Sequence, residues 1–152
     1  MASKEIDAAA FASAIEEILD RLNKTVHDLT PEAVEKSLTV GRKVWRENAK
    51  GVLSSSYVVG GWGKSGYGRE IKTGRYARSI NYQITRSSSD VTEGEIGSRS
   101  LPGLPHLLEH GHASVGGGRV PAYPHVEEAG DEAIEALETA MLEIVEEAID
   151  DA

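Results

Sequence analysis

The sequence predicts an α+β domain, and three observations carry that reading. Apolar residues recur at steps of three and four towards both ends of the chain, and a short central stretch alternates apolar with polar at every second residue. The strand–helix–strand alternation of a parallel sheet does not occur between them. With 152 residues the chain can build one core and is short for two, so 1–152 is read as a single domain.

Each element has its own signal. Ile15, Leu19, Leu22, Val26 and Leu29 mark one face of a helix over 6–29. Thr30 and Pro31 then offer the chemistry of a fresh start, a threonine N-cap with proline in the first helical position, and Val34, Leu38, Gly41, Trp45 and Ala49 continue one face over 31–50. Two N-terminal helices are therefore expected, the first, within 1–29, free to reach a neighbouring copy. Tyr57, Val58 and Val59 suggest a strand within 52–62, and Gly60, Gly61, Gly63, Gly66 and Gly68 make 60–74 a flexible loop.

Ile80, Tyr82 and Ile84 alternate with Ser79, Asn81 and Gln83, and the polar run 87–90 turns this strand into a second over 91–96. The expected sheet is thus small and antiparallel, built on a hairpin and followed by long loops. Pro105 and Gly111 confine 105–110 to a short turn, glycines 116–118 make another loop, and 119–125 is extended. Gly111 is expected to take a positive φ at the end of that turn, and Glu109 to bond nearby backbone donors or a basic residue. The last helix shows Ile134, Leu137, Met141, Ile144 or Val145, and Ala148 on one face, which packs on the sheet or on the second helix.

Composition excludes several classes. No apolar run approaches the roughly 20 residues of a membrane span. Zero cysteines remove disulfides and thiolate metal sites, and residues 1–7 lack the basic and apolar segments of a secretory signal, so folding in a cytoplasm is expected. A net charge of −9 argues against a protein that grips nucleic acid, because neutralising phosphates takes surplus Lys and Arg. The charge is segregated: 42–78 is basic, with only Glu47 and Glu70 as acids, whereas 127–152 carries acids and no Lys or Arg. Arg42, Lys43 and Arg46 of one copy against Glu135 and Glu138 of the next would make complementary contacts; two solvated faces are the plainer alternative.

Chemical motifs are few. His106, Leu107, Leu108, Glu109 and His110 spell H-x-x-E-H, a zinc-peptidase pattern, with His112 and His125 nearby, and a small metal-dependent hydrolase is the alternative it raises. His106, His110 and His112 are its candidate ligands. Against it, the pattern needs a sustained helix and a further carboxylate from downstream, so packing or interface histidines are favoured. Gly63, Lys64 and Ser65 imitate the end of a phosphate loop, but Val58 stands where glycine is required. Trp45 lies on an apolar helix face and reads as core rather than as a base-stacking platform. No catalytic residue and no cofactor is expected.

Two runs carry a resemblance. Leu107, Leu108, Glu109, His110, Gly111 and His112, then Gly117, Gly118, Arg119, Val120 and Pro121, then Pro124 and His125, resemble the neck proteins of long-tailed bacteriophages, also called tail-completion or head-tail joining proteins. Upstream, Thr73, Gly74, Arg75, Tyr76, Ala77, Arg78, Ser79 and Ile80 look like that family's element leading into its hairpin. The resemblance implies a virion protein, not an enzyme, assembled in the bacterial cytoplasm. It implies a ring of copies, sixfold by expectation, between head connector and tail terminator or tail tube, with double-stranded DNA passing through the lumen and no sequence-specific binding. The glycine stretch 60–68 and the acidic end depart from the family's pattern.

Overall fold

A computed structural model describes residues 8–52, 57–59, 69–71, 74–88, 91–114 and 117–150. The α+β class holds. A long helix α1 (Ala8–Val52) precedes a two-stranded ribbon, β1 (Tyr57–Val59) with β2 (Arg69–Ile71), and a one-turn helix α2 (Arg75–Ser79). Next come the hairpin β3 (Ile80–Ser87) and β4 (Thr92–Ser98), helix α3 (Leu104–His110), and the small ribbon β5 (His112–Ala113) with β6 (Arg119–Val120). Helix α4 (Glu127–Asp150) closes the order.

The two expected N-terminal helices are one. Pro31 lies inside α1, where it has no N–H to offer the carbonyl of His27. Thr30 does not cap a new helix; its hydroxyl donates back to the carbonyl of Val26 at 2.6 Å. Packing accounts for the continuity. Val26 and Leu29 before the proline, and Ala33 after it, share a cluster with Leu137, Ala140, Met141 and Ile144 of α4, so one partner helix clamps both sides of the junction.

α4 runs antiparallel to α1. Asn48 Nδ2 donates to Glu128 at 2.8 Å, Ser37 Oγ donates to the Ala133 carbonyl at 2.6 Å, and Lys36 pairs with Glu143 at 3.3 Å. The seam is made of small residues. Gly41 is buried where α1, α4 and β4 meet, and a Cβ there would lie 2.7 Å from Ile96 Cδ1, 2.8 Å from Ala133 Cβ and 2.9 Å from the Ala129 carbonyl. Accordingly α4 buries Ala129, Ala133, Ala140, Ile144 and Ala148, with Leu137 and Met141 half-buried. This corrects the expected face: Ile134 is 58% exposed and Val145 is on the surface as well, because a closely approaching helix admits methyl groups and displaces larger side chains to the flank.

The β3–β4 hairpin follows the alternation, from Ile80 opposite Ser98 to Ser87 opposite Thr92, with a register shift between Ile84 and Arg86. Burial fades along it, from Ile80, wholly buried, to Ile84 at the surface. Part of the expected 60–74 loop is strand: Arg69 to Ile71 pair antiparallel with Tyr57 to Val59, so the glycines connect two short strands. Residues 60–68 and 72–73, and with them Thr73, lie outside the described residues. The main core gathers Trp45 and Ala49 of α1, Tyr76 and Ala77 of α2, Ile80 of β3, Leu101 ahead of α3, Leu104 and Leu108 within α3, and Ala129 of α4.

Candidate functional site

The two segments that carry the family resemblance converge on this core. Gly74, at φ +75, admits the turn into α2 and presents Tyr76 to the interior. Ser79 donates to the Tyr76 carbonyl at 2.6 Å and lies 2.6 Å from the Ser98 hydroxyl, fastening α2 to the hairpin beside Ile80. On the other side, Pro105 sits in the first turn of α3, Leu108 is buried, and Gly111 ends the helix at φ +67. The expected positive φ at Gly111 is present, and the space is equally restrictive: a Cβ would meet the Val120 carbonyl at 2.5 Å.

From there the chain makes the β5–β6 ribbon, His112 opposite Val120, around Gly117 and Gly118 at φ +89 and +88. It then runs extended past the exposed Pro121 and Pro124 into α4. The Leu108 carbonyl accepts the Tyr123 N–H at 2.7 Å, which holds this approach against α3.

Glu109 caps α4 from a distance. Its Oε2 accepts the backbone N–H of His125 at 2.8 Å and of Val126 at 3.0 Å, and its Oε1 accepts that of Glu127 at 3.4 Å. A helix cannot satisfy its first N–H groups internally, and its N-terminus carries partial positive charge, so a carboxylate there serves both needs. Burial pushes the Glu109 carboxyl up, but the three backbone N–H bonds and His125 outweigh it and hold the group below the usual range.

A buried chain of rings adjoins that carboxylate. Trp45 Nε1 donates to the Tyr76 hydroxyl at 3.2 Å, and that hydroxyl lies 2.7 Å from His125 Nε2. Tryptophan can only donate, so the phenol accepts from it, and towards a neutral imidazole it gives its single proton to Nε2. The imidazole proton is thereby assigned to Nδ1, which sits 2.6 Å from the Tyr123 carbonyl and 3.0 Å from Glu109 Oε2. Both other rings meet His125 edge-on, with centroids 5.6 Å away for Tyr76 and 6.5 Å for Trp45. Burial, followed by the Trp45 bond acting the other way and the Glu109 charge, leaves the Tyr76 phenol pushed up to about 12. Carboxylate, imidazole and phenol are thus in series, but all three rings are buried and every polar atom is spent on the fold.

The H-x-x-E-H run does not form a ligand set. His106 and His110 are exposed with ring centroids 4.7 Å apart, whereas Glu109 is committed to the start of α4. His112 stands in β5 with Nδ1 3.3 Å from the Leu107 carbonyl. Among the described residues no three metal-capable side chains converge.

The surface shows the charge segregation in place. Arg42, Lys43, Arg46 and Lys50 of α1 and Arg78 of α2 line an open groove with Thr39, Ala77 and Glu47. Arg42 donates to Asn81 Oδ1 at 3.3 Å and lies 4.9 Å above the Tyr82 ring; Arg46 donates to the Ile80 carbonyl at 2.8 Å. Each guanidinium commits one of its five N–H groups in these bonds, leaving capacity for an acidic partner. Glu135 and Glu138 are exposed on α4, and among the described residues no recorded ion pair joins the groove to that helix. Sequence reasoning placed Trp45 in the core but missed its bond to Tyr76 and the Tyr76–His125 link.

No family model, curated protein or solved structure matches the chain.

Proposed function

We propose that the chain is a structural protein of the bacteriophage neck, forming a ring of copies, sixfold by expectation, between head connector and tail with double-stranded DNA passing through its lumen. The observation that carries this reading is the order of two elements, 73–80 and 107–125, and their meeting at the Tyr76–His125 bond of 2.7 Å. Residues that carry the resemblance fix α2, α3 and the start of α4, which is what an assembly protein requires of its framework, and two of them, Ala77 and Arg78, also line the basic groove.

The charged surfaces support the same reading. A ring closes through two different faces of each copy, and a basic groove along α1 with an acidic α4 supplies non-identical faces. A net charge of −9 suits a lumen through which DNA slides without being gripped. The metal-dependent hydrolase has weaker support, because its general base would be Glu109, whose carboxylate is engaged by three backbone N–H groups.

The decisive experiment is genetic and structural. Phage lacking this gene should accumulate filled heads and finished tails that do not join, and the chain should appear as a ring at the neck of complete particles. Absence of the chain from purified virions, or zinc-dependent peptidase activity lost on Glu109→Gln, would overturn the reading.

A further inference from the structure

The full H-x-x-E-H set is not assembled, because Glu109 is spent at the start of α4, but its two outer histidines make an arrangement of their own. α3 turns Leu104 and Leu108, four residues apart, into the core. At about 3.6 residues per turn, positions two apart fall on opposite sides of a helix, so His106 and His110 come out on the solvent face, where both are exposed. Their own spacing of four then sets one histidine above the other. The rings meet edge-on, with centroids 4.7 Å apart and planes at 64°. Among the described residues neither imidazole bonds to another protein group, so the ring nitrogens are available to a ligand.

The separation suits a shared ion. Metal–imidazole bonds run to about 2.0–2.1 Å, and a ring nitrogen lies just over 1 Å from its centroid, so two rings on one ion at adjacent coordination positions have centroids roughly 4.5–5.2 Å apart. The observed 4.7 Å falls within that span. The helix that carries the pair is also held in place. The Leu108 carbonyl accepts the Tyr123 N–H at 2.7 Å, the His110 carbonyl accepts from Arg119 at 3.1 Å, and Gly111 ends the turn. Binding an ion there asks for little further ordering of the backbone. Imidazole also selects the ion: it suits Zn²⁺, Ni²⁺ and Cu²⁺, whereas Mg²⁺ and Ca²⁺ take oxygen ligands.

We propose that His106 and His110 form a surface site for a divalent transition metal of the Zn²⁺, Ni²⁺ and Cu²⁺ class, chelated by the two imidazoles and completed by water. Among the described residues no third protein ligand converges on the pair, so the ion keeps open positions. His112 stands apart in β5, with Nδ1 3.3 Å from the Leu107 carbonyl. The site binds and does not catalyse: the Glu109 carboxylate, engaged by three backbone N–H groups, is not available to take a proton from metal-bound water. It is independent of the neck reading, which neither requires the ion nor excludes it.

Titration of the untagged chain with Zn²⁺, followed by calorimetry and by the histidine ring signals in nuclear magnetic resonance spectra, tests the site. One ion per chain should bind and move the ring signals of His106 and His110 together, and Mg²⁺ should leave them in place. His106→Gln and His110→Gln should each weaken Zn²⁺ binding by about 100-fold, because a lone imidazole loses the effective concentration that the second supplies. The double variant should bind little more weakly than either single one. Both side chains are exposed, so these variants keep the fold, and circular dichroism checks that they do. His27→Gln, at an exposed position on α1, should leave the affinity unchanged. An affinity that survives both single substitutions, ring signals that move for one of the two histidines alone, or binding lost on His27→Gln would mean an adventitious ion only and would overturn the site.

Discussion

Tyr76 and His125, 49 positions apart in sequence, share a hydrogen bond of 2.7 Å in the core, and that bond joins the segment entering the hairpin to the segment entering the last helix. Tyr76→Phe keeps the ring and removes the bond. It leaves Nε2 of His125 and Nε1 of Trp45 without partners, each unsatisfied buried group costing about 1–3 kcal/mol. Urea unfolding should show a loss of that order, and an unchanged midpoint would mean water replaces the hydroxyl.

The same phenol sets an alkaline limit. Its folded value of about 12 exceeds the ordinary value of 10.0, so the folded state holds its proton more tightly than the unfolded state. The associated stability is complete below the ordinary value and is lost as pH rises from there through about 12. Thermal melts across that window should fall more steeply for the parent chain than for Tyr76→Phe.

Glu109 sets the acid limit with the opposite sign. Its folded value is lowered, so its stabilisation is present above the ordinary carboxylate range and fades as pH falls through the lowered value. Glu109→Gln should cost about 1.5–3 kcal/mol at neutral pH, the worth of a hydrogen bond to a charged group, and flatten the acid side of the stability curve. Equal slopes for the two proteins would count against the cap.

Pro31→Ala distinguishes one helix from two. Inside a continuous helix, removing proline restores an N–H and should stabilise by up to about 3 kcal/mol. At the first position of a separate helix the same change would be neutral or harmful. Chemical denaturation of the two proteins reads the difference directly.

Reversal of Arg42, Lys43 and Arg46 to Glu should abolish joining of heads to tails while leaving far-ultraviolet circular dichroism near that of the parent. Salt should weaken association of copies likewise, since exposed charges are screened beyond about 8 Å at physiological ionic strength. Joining that survives the reversal would mean both charged faces are merely solvated.

What was legible in the sequence was local. The hairpin alternates over adjacent positions from Ile80, and Gly111 is announced by an apolar turn running into polar chain. Glu109 as a bonded carboxylate belonged to the same short run. What was not legible depended on partners far away. Thr30–Pro31 has the chemistry of a helix start, and it is distant partners, α4 and the end of the β3–β4 hairpin, that hold the two halves in line. The larger side chains Ile134 and Val145 looked like the buried face of α4, yet the close approach at Gly41 selects the alanines. Trp45, Tyr76 and His125 come from three elements, and no periodicity links them.

The distance between the first and last helices orders the birth of the molecule. Ser37 meets Ala133 across a separation of 96 residues, so the seam of α1 is synthesised early and stays uncovered until α4 has been made. Closing so large a loop is entropically costly but grows only slowly with length, and the contact becomes available once α4 leaves the ribosome. Glu109, the acceptor for the first N–H groups of α4, precedes that helix in sequence and has been synthesised by then. Nascent chains stalled before that helix should hold an uncovered apolar strip along α1 and attract chaperones.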